Sequence, residues 1–150
     1  MKIVLQKVSR ASVTVDSQIV SAINTGFMLL VGISVDDGDQ DIEKLSRKVV
    51  SLRAFDDNEG YGWKKNIREV NGQILSISQF TLLGQTKKGT KPDFHQAQKG
   101  HLAKELYDKF LGLLRQELGQ ENVKDGVFGA MMSCELVNEG PVTLILDTKD

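Results

Sequence analysis

The chain has 150 residues, of which 40% are hydrophobic and 26% charged, with a formal net charge of −1. That length suits one domain, residues 1–150, whose core needs neither disulfide nor metal, and the composition excludes disorder, collagen and a coiled coil. A charge near zero also excludes a protein held on nucleic acid by phosphate contacts alone, while leaving room for a nucleic acid touched at one end.

In chain order, "KIVLQKV" near the N-terminus reads as a strand. "ASVTV" and "QIVSAI" alternate in polarity on either side of Asp16-Ser17 and predict a hairpin. "FMLLVGIS" after Gly26 is apolar at nearly every position, the pattern of a strand covered on both faces. The period then changes. Ile42, Leu45, Val49 and Leu52 recur at helical spacing behind an acidic start. "RAFDD" predicts a short strand, and strand character resumes from Gln73 to Leu83. A polar loop, "GQTKKGTKPDFHQAQKG", precedes the longest helix, with Leu102, Leu106, Phe110, Leu113, Leu114 and Leu118 as its apolar stripe and Gly119 at its end. "FGAMMSCELV" and "PVTLILD" predict two closing strands, with "NEG" between them. Strands dominate and do not alternate regularly with helices. The expected fold is α+β, with curved, mostly antiparallel sheets, barrel- or sandwich-like, and two main helices packed outside.

Cys134 is the only cysteine, so no internal disulfide forms, and the first apolar run, Ile3–Leu5, is too short for a signal peptide. No apolar stretch approaches the ~20 residues that cross a bilayer. The expectation is a soluble, cytoplasmic protein with no membrane partner.

The side chains able to do chemistry are few. Cys134 lies in an expected buried strand and reads as a small hydrophobe. His95 and His101 are the only histidines, and two histidines without a cysteine pair make a poor zinc site. No glycine-rich nucleotide motif occurs, so neither a metal nor a cofactor is expected. Ser76, Ser78 and Thr81 offer hydroxyls that His95 could reach, but no G-x-S-x-G elbow surrounds them. In "SQFTL", Ser78, Gln79 and Thr81 interrupt an apolar run. They fit either a strand with one polar face or a strand end whose amides line a pocket. Lys64, Lys65 and Arg68, and Lys87, Lys88 and Lys91, form two basic clusters that read first as solvated loops. Gly140-Pro141 precedes a β-branched run, where a proline fits as the first residue of a strand.

Two motifs together carry more. "SQFTL" at Ser78–Leu82 and "NEGPVT" at Asn138–Thr143 resemble the paired signatures of the D-aminoacyl-tRNA deacylases. The resemblance extends in order through "MKIVLQKVSRASVTV", the basic "KKGTKPDF" and "FGAMM", nearly the whole chain. It implies hydrolysis of the ester that joins a D-amino acid to the terminal ribose of tRNA, by a homodimer acting on the acceptor end. It also implies a cis Gly140–Pro141 bond. The two carbonyl oxygens would then project together into the partner subunit's pocket and crowd the α-carbon of an L-amino acid. A D-amino acid would be admitted, and glycine, with no side chain to reject, partly so. The backbone N–H groups of Phe80 and Thr81 would face the developing oxyanion, with Ser78 and Gln79 shaping the pocket. The substrate's 2′-hydroxyl would assist the attacking water. Phe128 and Met132, otherwise plain core residues, would form the adenine wall. Lys87, Lys88 and Lys91 would meet acceptor-stem phosphates. Two positions depart from the family's pattern. Lys7 stands where an arginine often locks the Gly-Pro loop, and lysine lacks the planar fork. Met131 stands where an acidic residue is common. The alternative reading is a binder of the tRNA end, or of D-amino acids, without turnover.

Overall fold

The first strand, β1, runs unbroken from Lys2 to Val15, and most other strands are placed against it. The computed structural model describes residues 1–150. On one edge of β1, Ala11–Val15 pairs with β2 (Gln18–Ile23) and Lys2–Val8 with β3 (Gly26–Gly32), both antiparallel. Along the other edge runs β6 (Ser133–Asp147), also antiparallel. Beyond β3 the pairing turns parallel, first to β4 (Gln73–Ser78) and then to the short β5 (Val123–Asp125). The sheet is therefore mixed. It curls until β2 meets β5, where Ser21 Oγ donates to the Asp125 carbonyl at 2.7 Å and Lys124 Nζ to that of Ala22 at 3.1 Å. The result is a nearly closed, barrel-like sheet with two helices outside it, the expected α+β class.

The hairpin forms where alternation places it. Asp16 and Ser17 both take positive φ (49° and 65°), the twist a two-residue hairpin requires. The apolar run of β3 is covered on both faces. Phe27, Leu29 and Val31 join the core beneath the helices, while Met28 joins a second cluster with Val8, Val13, Leu75 and Ile77.

Helix α1 (Asp39–Ser51) buries Ile42, Leu45 and Val49. Its Asp41 carboxylate accepts the Gly38 N–H at 2.9 Å, half of a capping box. Helix α2 (Gly100–Leu118) buries Ala103, Leu106, Tyr107, Phe110, Leu111 and Leu114. The predicted stripe was turned by one position at its start: Leu102 is exposed, because the buried face follows 103, 106–107, 110–111 and 114. The Tyr107 hydroxyl donates to the buried Ser76 Oγ at 3.0 Å and ties α2 to β4. Neither helix is long and apolar enough to cross a membrane.

Three stretches differ from expectation. Strand β4 stops at Ser78, and Phe80–Leu83 forms a 3-10 turn. Residues 126–132 are irregular: Gly129 takes a φ of +78°, and Met132 folds back so closely on Gly126 that a Cβ there would lie 2.5 Å from its sulfur. The two closing strands are halves of one element, β6. Gln6 pairs with Thr143 and Val8 with Asn138, so opposite the single residue Lys7 the strand spends Glu139, Gly140, Pro141 and Val142 on an outward bulge. "RAFDD" contributes only an isolated bridge, Phe55 to Lys65.

Candidate active site

A cavity of about 720 Å³ opens where β3 and β4 end. The Gln79 N–H donates to the Val31 carbonyl at 2.7 Å and fixes the chain as it leaves β4. The 3-10 turn then closes through Leu82 N–H to the Gln79 carbonyl (3.3 Å) and Gly84 N–H to that of Thr81 (3.0 Å). It packs directly on the backbone of Gly32, where a Cβ would stand 2.7 Å from Leu83 Cδ2 and 3.0 Å from the Gln79 oxygen. The amides of Phe80 and Thr81 begin this turn, where a helix has no acceptor of its own for its N–H groups. Gln79 Nε2 donates to Thr81 Oγ1 at 2.6 Å, which leaves the Gln79 side-chain oxygen and the Thr81 hydroxyl hydrogen for other partners. Phe80 meets Phe94 edge to face, ring centroids 5.2 Å apart.

The cavity brings Ser78, Gln79, Phe80 and Thr81 together with Phe128 and Met132 in one lining. Phe128 is backed by Tyr107, ring to ring at 5.9 Å. An aromatic face and a thioether beside a set of polar groups suit a flat, partly apolar ligand. Met131, at 91% exposure, stands at the rim.

Cys134 is exposed and lines the same cavity, contrary to the buried strand position expected for it. Partial burial nonetheless pushes its thiol above the usual range, away from the thiolate a nucleophile needs. His95 does not reach the serines. Its Nδ1 lies 2.7 Å from Asp93 Oδ2, and it is the neighbouring Phe94 that points into the cavity. Ser76 is buried under Tyr107. The polar groups around the cavity thus belong to the backbone, the carboxamides of Gln79 and Gln98, the hydroxyls of Ser78 and Thr81, and Lys99, not to a serine–histidine pair.

Lys87, Lys88 and Lys91 are exposed at the tip of a hairpin loop closed by two Gln85–Asp93 backbone bonds (2.7 and 2.9 Å), outside the cavity lining. Gly140 and Pro141 are also outside it, exposed at the tip of the β6 bulge, and the peptide bond between them is cis. What holds the bulge is Asn138. Its Nδ2 donates to the carbonyls of Lys7 (2.9 Å) and Val142 (3.0 Å), and its Oδ1 accepts from Thr143 Oγ1 (3.1 Å). Lys7 therefore supports the bulge through its backbone, while its ammonium lies 5.1 Å from the Phe55 ring centre. The sequence alone did not single out Asn138, although that residue opens the NEGPVT motif. Nor did it single out Phe94, Gln98 and Lys99 on the cavity wall. Phe94 alone left a signal, as the one aromatic in a polar loop.

Fold and site define an α+β protein with a largely apolar cavity lined at one place by the start of a 3-10 turn, and with a separate basic hairpin. The chain belongs to the D-Tyr-tRNA(Tyr) deacylase family, whose model matches residues 4–147. It is 70% identical over 148 residues to a D-aminoacyl-tRNA deacylase of Saccharomyces cerevisiae, covering 99% of each chain. A protein of the same description from Eremothecium gossypii is 62% identical over the full length of both. Among solved structures, one titled c-Myc DNA Unwinding Element Binding Protein superposes with a TM-score of 0.94 at 44% identity, covering 99% of both chains. A second, titled as a probable eukaryotic D-amino acid tRNA deacylase, shares the fold with a TM-score of 0.84 at 19% identity and 97% coverage of both chains.

Proposed function

We propose that the chain hydrolyses the ester bond of D-aminoacyl-tRNA, releasing the D-amino acid and tRNA. The observation that carries this reading is that Phe80 and Thr81, at the start of a 3-10 turn, line the same cavity as Phe128 and Met132. The ester carbonyl oxygen sits at the amides, which stabilise the charge it gains as water attacks. The terminal adenine lies against Phe128 and Met132. The ribose 2′-hydroxyl assists the water, so the protein contributes position and electrostatics while the RNA supplies a reacting group.

Selection for the D-enantiomer is assigned to the carbonyls of Gly140 and Pro141 from a second copy of the chain. Support comes from the sheet. Strand β6 has a partner on one side only, and its bulge residues Glu139–Val142 are not among those lining the chain's own cavity. Directly paired residues share a face, so Ile145, Val4, Leu30 and Ile77 form one apolar row from the free edge to the cavity wall. A second copy laid on that row would bring its bulge to the cavity. Lys87, Lys88 and Lys91 then meet acceptor-stem phosphates, which reconciles RNA binding with a net charge of −1.

The test is deacylation of D-tyrosyl-, L-tyrosyl- and glycyl-tRNA. Rapid release from the first, none above background from the second and partial release from the third are expected. A binder without turnover, the reading favoured by the binding-protein title of the 44% identical structure, releases nothing from any of them. Thr81→Ala should keep most of the turnover, because the backbone amide and not the hydroxyl is assigned the work. A tRNA ending in 2′-deoxyadenosine should be a poor substrate, and an unchanged rate would remove the 2′-hydroxyl from the mechanism.

A further inference from the structure

The cavity is almost free of charge, and of the side chains lining it only Lys99 carries one. Lys99 stands immediately before α2 in extended backbone (φ −125°, ψ 158°). Its base is fixed. The Gln98 N–H donates to the Ile33 carbonyl at 2.8 Å, and Ala97 bridges to Ser34, both just beyond the strand whose Val31 holds the Phe80–Thr81 turn. The side chain is exposed, and no carboxylate of the chain pairs with it. Asp93, the acid closest to it in influence, is committed to His95, whose backbone N–H and ring hold that carboxyl below the usual range, with Lys99 contributing little.

An unpaired ammonium at the rim of an apolar cavity attracts an anion and repels a cation. On the deacylase reading, on which this step rests, the occupant has one of each. The amino acid carries an α-ammonium, and its carboxyl is an uncharged ester. The terminal nucleotide carries a phosphate on its 5′ side, with the ribose between the two charges. The geometry points to Lys99 as the residue that binds the phosphate on the 5′ side of the terminal nucleotide, and so sets the direction in which the aminoacyl end enters. The phosphate lies toward α2, and the ester reaches the Phe80 and Thr81 amides. Lys87, Lys88 and Lys91, farther out on the same loop, continue the cationic path toward the preceding phosphates. Lys99 touches no reacting atom. It is a positioning residue, and its contribution is the same in ground and transition states, which places it in KM and not in kcat.

Three substrates separate this role from others: the D-tyrosyl ester of adenosine, the same ester of adenosine 5′-monophosphate, and D-tyrosyl-tRNA. Hydrolysis of all three by the unaltered protein tests the deacylase reading by itself. Lys99→Gln should raise KM about ten-fold for the two phosphate-bearing substrates, the scale of one charge-assisted contact. It should leave kcat and the adenosine ester unchanged, and Lys99→Arg should restore KM. Added salt should raise KM of the unaltered protein for the 5′-phosphate ester and leave the Gln variant flat. Equal effects with and without the 5′-phosphate, a fall in kcat alone, or no effect would overturn the assignment. Calorimetric titration with adenosine and adenosine 5′-monophosphate decides the point without turnover. The nucleotide should bind more tightly than the nucleoside only while Lys99 is present, and equal affinities in the unaltered protein would overturn it.

Discussion

Asn138 shows how one side chain can hold a segment that no ladder holds. Its carboxamide spans the neck of the β6 bulge with three hydrogen bonds, one of them to the carbonyl of a residue 131 positions away. Asn138→Ala leaves the Lys7 and Val142 carbonyls unpaired and should destabilise the protein by about 1–3 kcal/mol. Discrimination against L-tyrosyl-tRNA should fall as well, and chemical denaturation beside turnover of the D- and L-tyrosyl substrates checks both parts. Gly140 is constrained differently. Its φ is +115°, and a Cβ would stand 2.7 Å from Val142 Cγ2 and 3.0 Å from the Val142 nitrogen. Gly140→Ala should therefore reshape the bulge at a cost of about 1–3 kcal/mol, with release from L-tyrosyl-tRNA rising above background while the core signal in near-ultraviolet dichroism persists. Tyr107 gives the clearest pH signature. Burial drives its phenol well above its ordinary value of 10, against the smaller pull of the Ser76 bond. The unfolded chain gives up that proton first, so the Tyr107 contribution is intact below about pH 10 and declines as the pH rises toward the folded value. Denaturant titrations at pH 9 and pH 11 should show Tyr107→Phe losing less stability than the unaltered protein between the two.

At the scale of elements, legibility followed the range of the forces. Both helices and the first hairpin rest on local periodicity, and they lie within a residue or two of where Ile42, Leu45 and Val49, or the alternation around Asp16-Ser17, put them. The doubly covered β3 was legible from an unbroken apolar run. Residues 126–132 were not, because "FGAMM" has a strand's composition while Gly126 and Gly129 give it a path set by the packing of Met132. The same limit applies to the site. Ser78–Thr81 and Gly140-Pro141 stood out as local anomalies, but Asn138 acts on a carbonyl at the other end of the chain, and Lys99 in a polar loop reads as one more solvated lysine. Helix α1 offers an element-scale prediction. The Gly38 N–H bond, ahead of smaller contributions from Thr148 and the N-terminus, holds the Asp41 carboxyl below its usual range despite some burial. A depressed carboxyl stabilises above its unfolded value and loses that contribution as pH falls through the folded one. Water screens this group, so the effect is roughly 0.5 kcal/mol. Asp41→Asn should shrink the drop in melting temperature between pH 5 and pH 3.

On the proposed mechanism, one chain would hold a cavity without its chirality filter and a filter without a cavity. The row Ile145–Val4–Leu30–Ile77 joins the two surfaces, and it passes from 72% exposure at Ile145 to 2% at Ile77. An isoleucine that open, on the outward side of an edge strand whose Leu144 and Leu146 neighbours pack on the core, contributes little to the isolated fold. Ile145→Asp should accordingly leave the melting of a single chain nearly unchanged, shift sedimentation from the proposed dimer to monomer, and remove discrimination against L-tyrosyl-tRNA in the same step. Mixed dimers then tell which copy supplies what. Gly140→Ala disables the bulge and spares the cavity, whereas Ala130→Trp fills the cavity and spares the bulge. Gly140→Ala alone should release both enantiomers, and Ala130→Trp alone neither. Re-annealed with Ala130→Trp in excess, the Gly140→Ala copies enter heterodimers in which their intact cavity receives the intact bulge of the other copy, and release from L-tyrosyl-tRNA should fall while that from D-tyrosyl-tRNA persists. A mixture that exchanges subunits, shown by two fluorescent labels, yet gains no discrimination would place filter and cavity in the same chain.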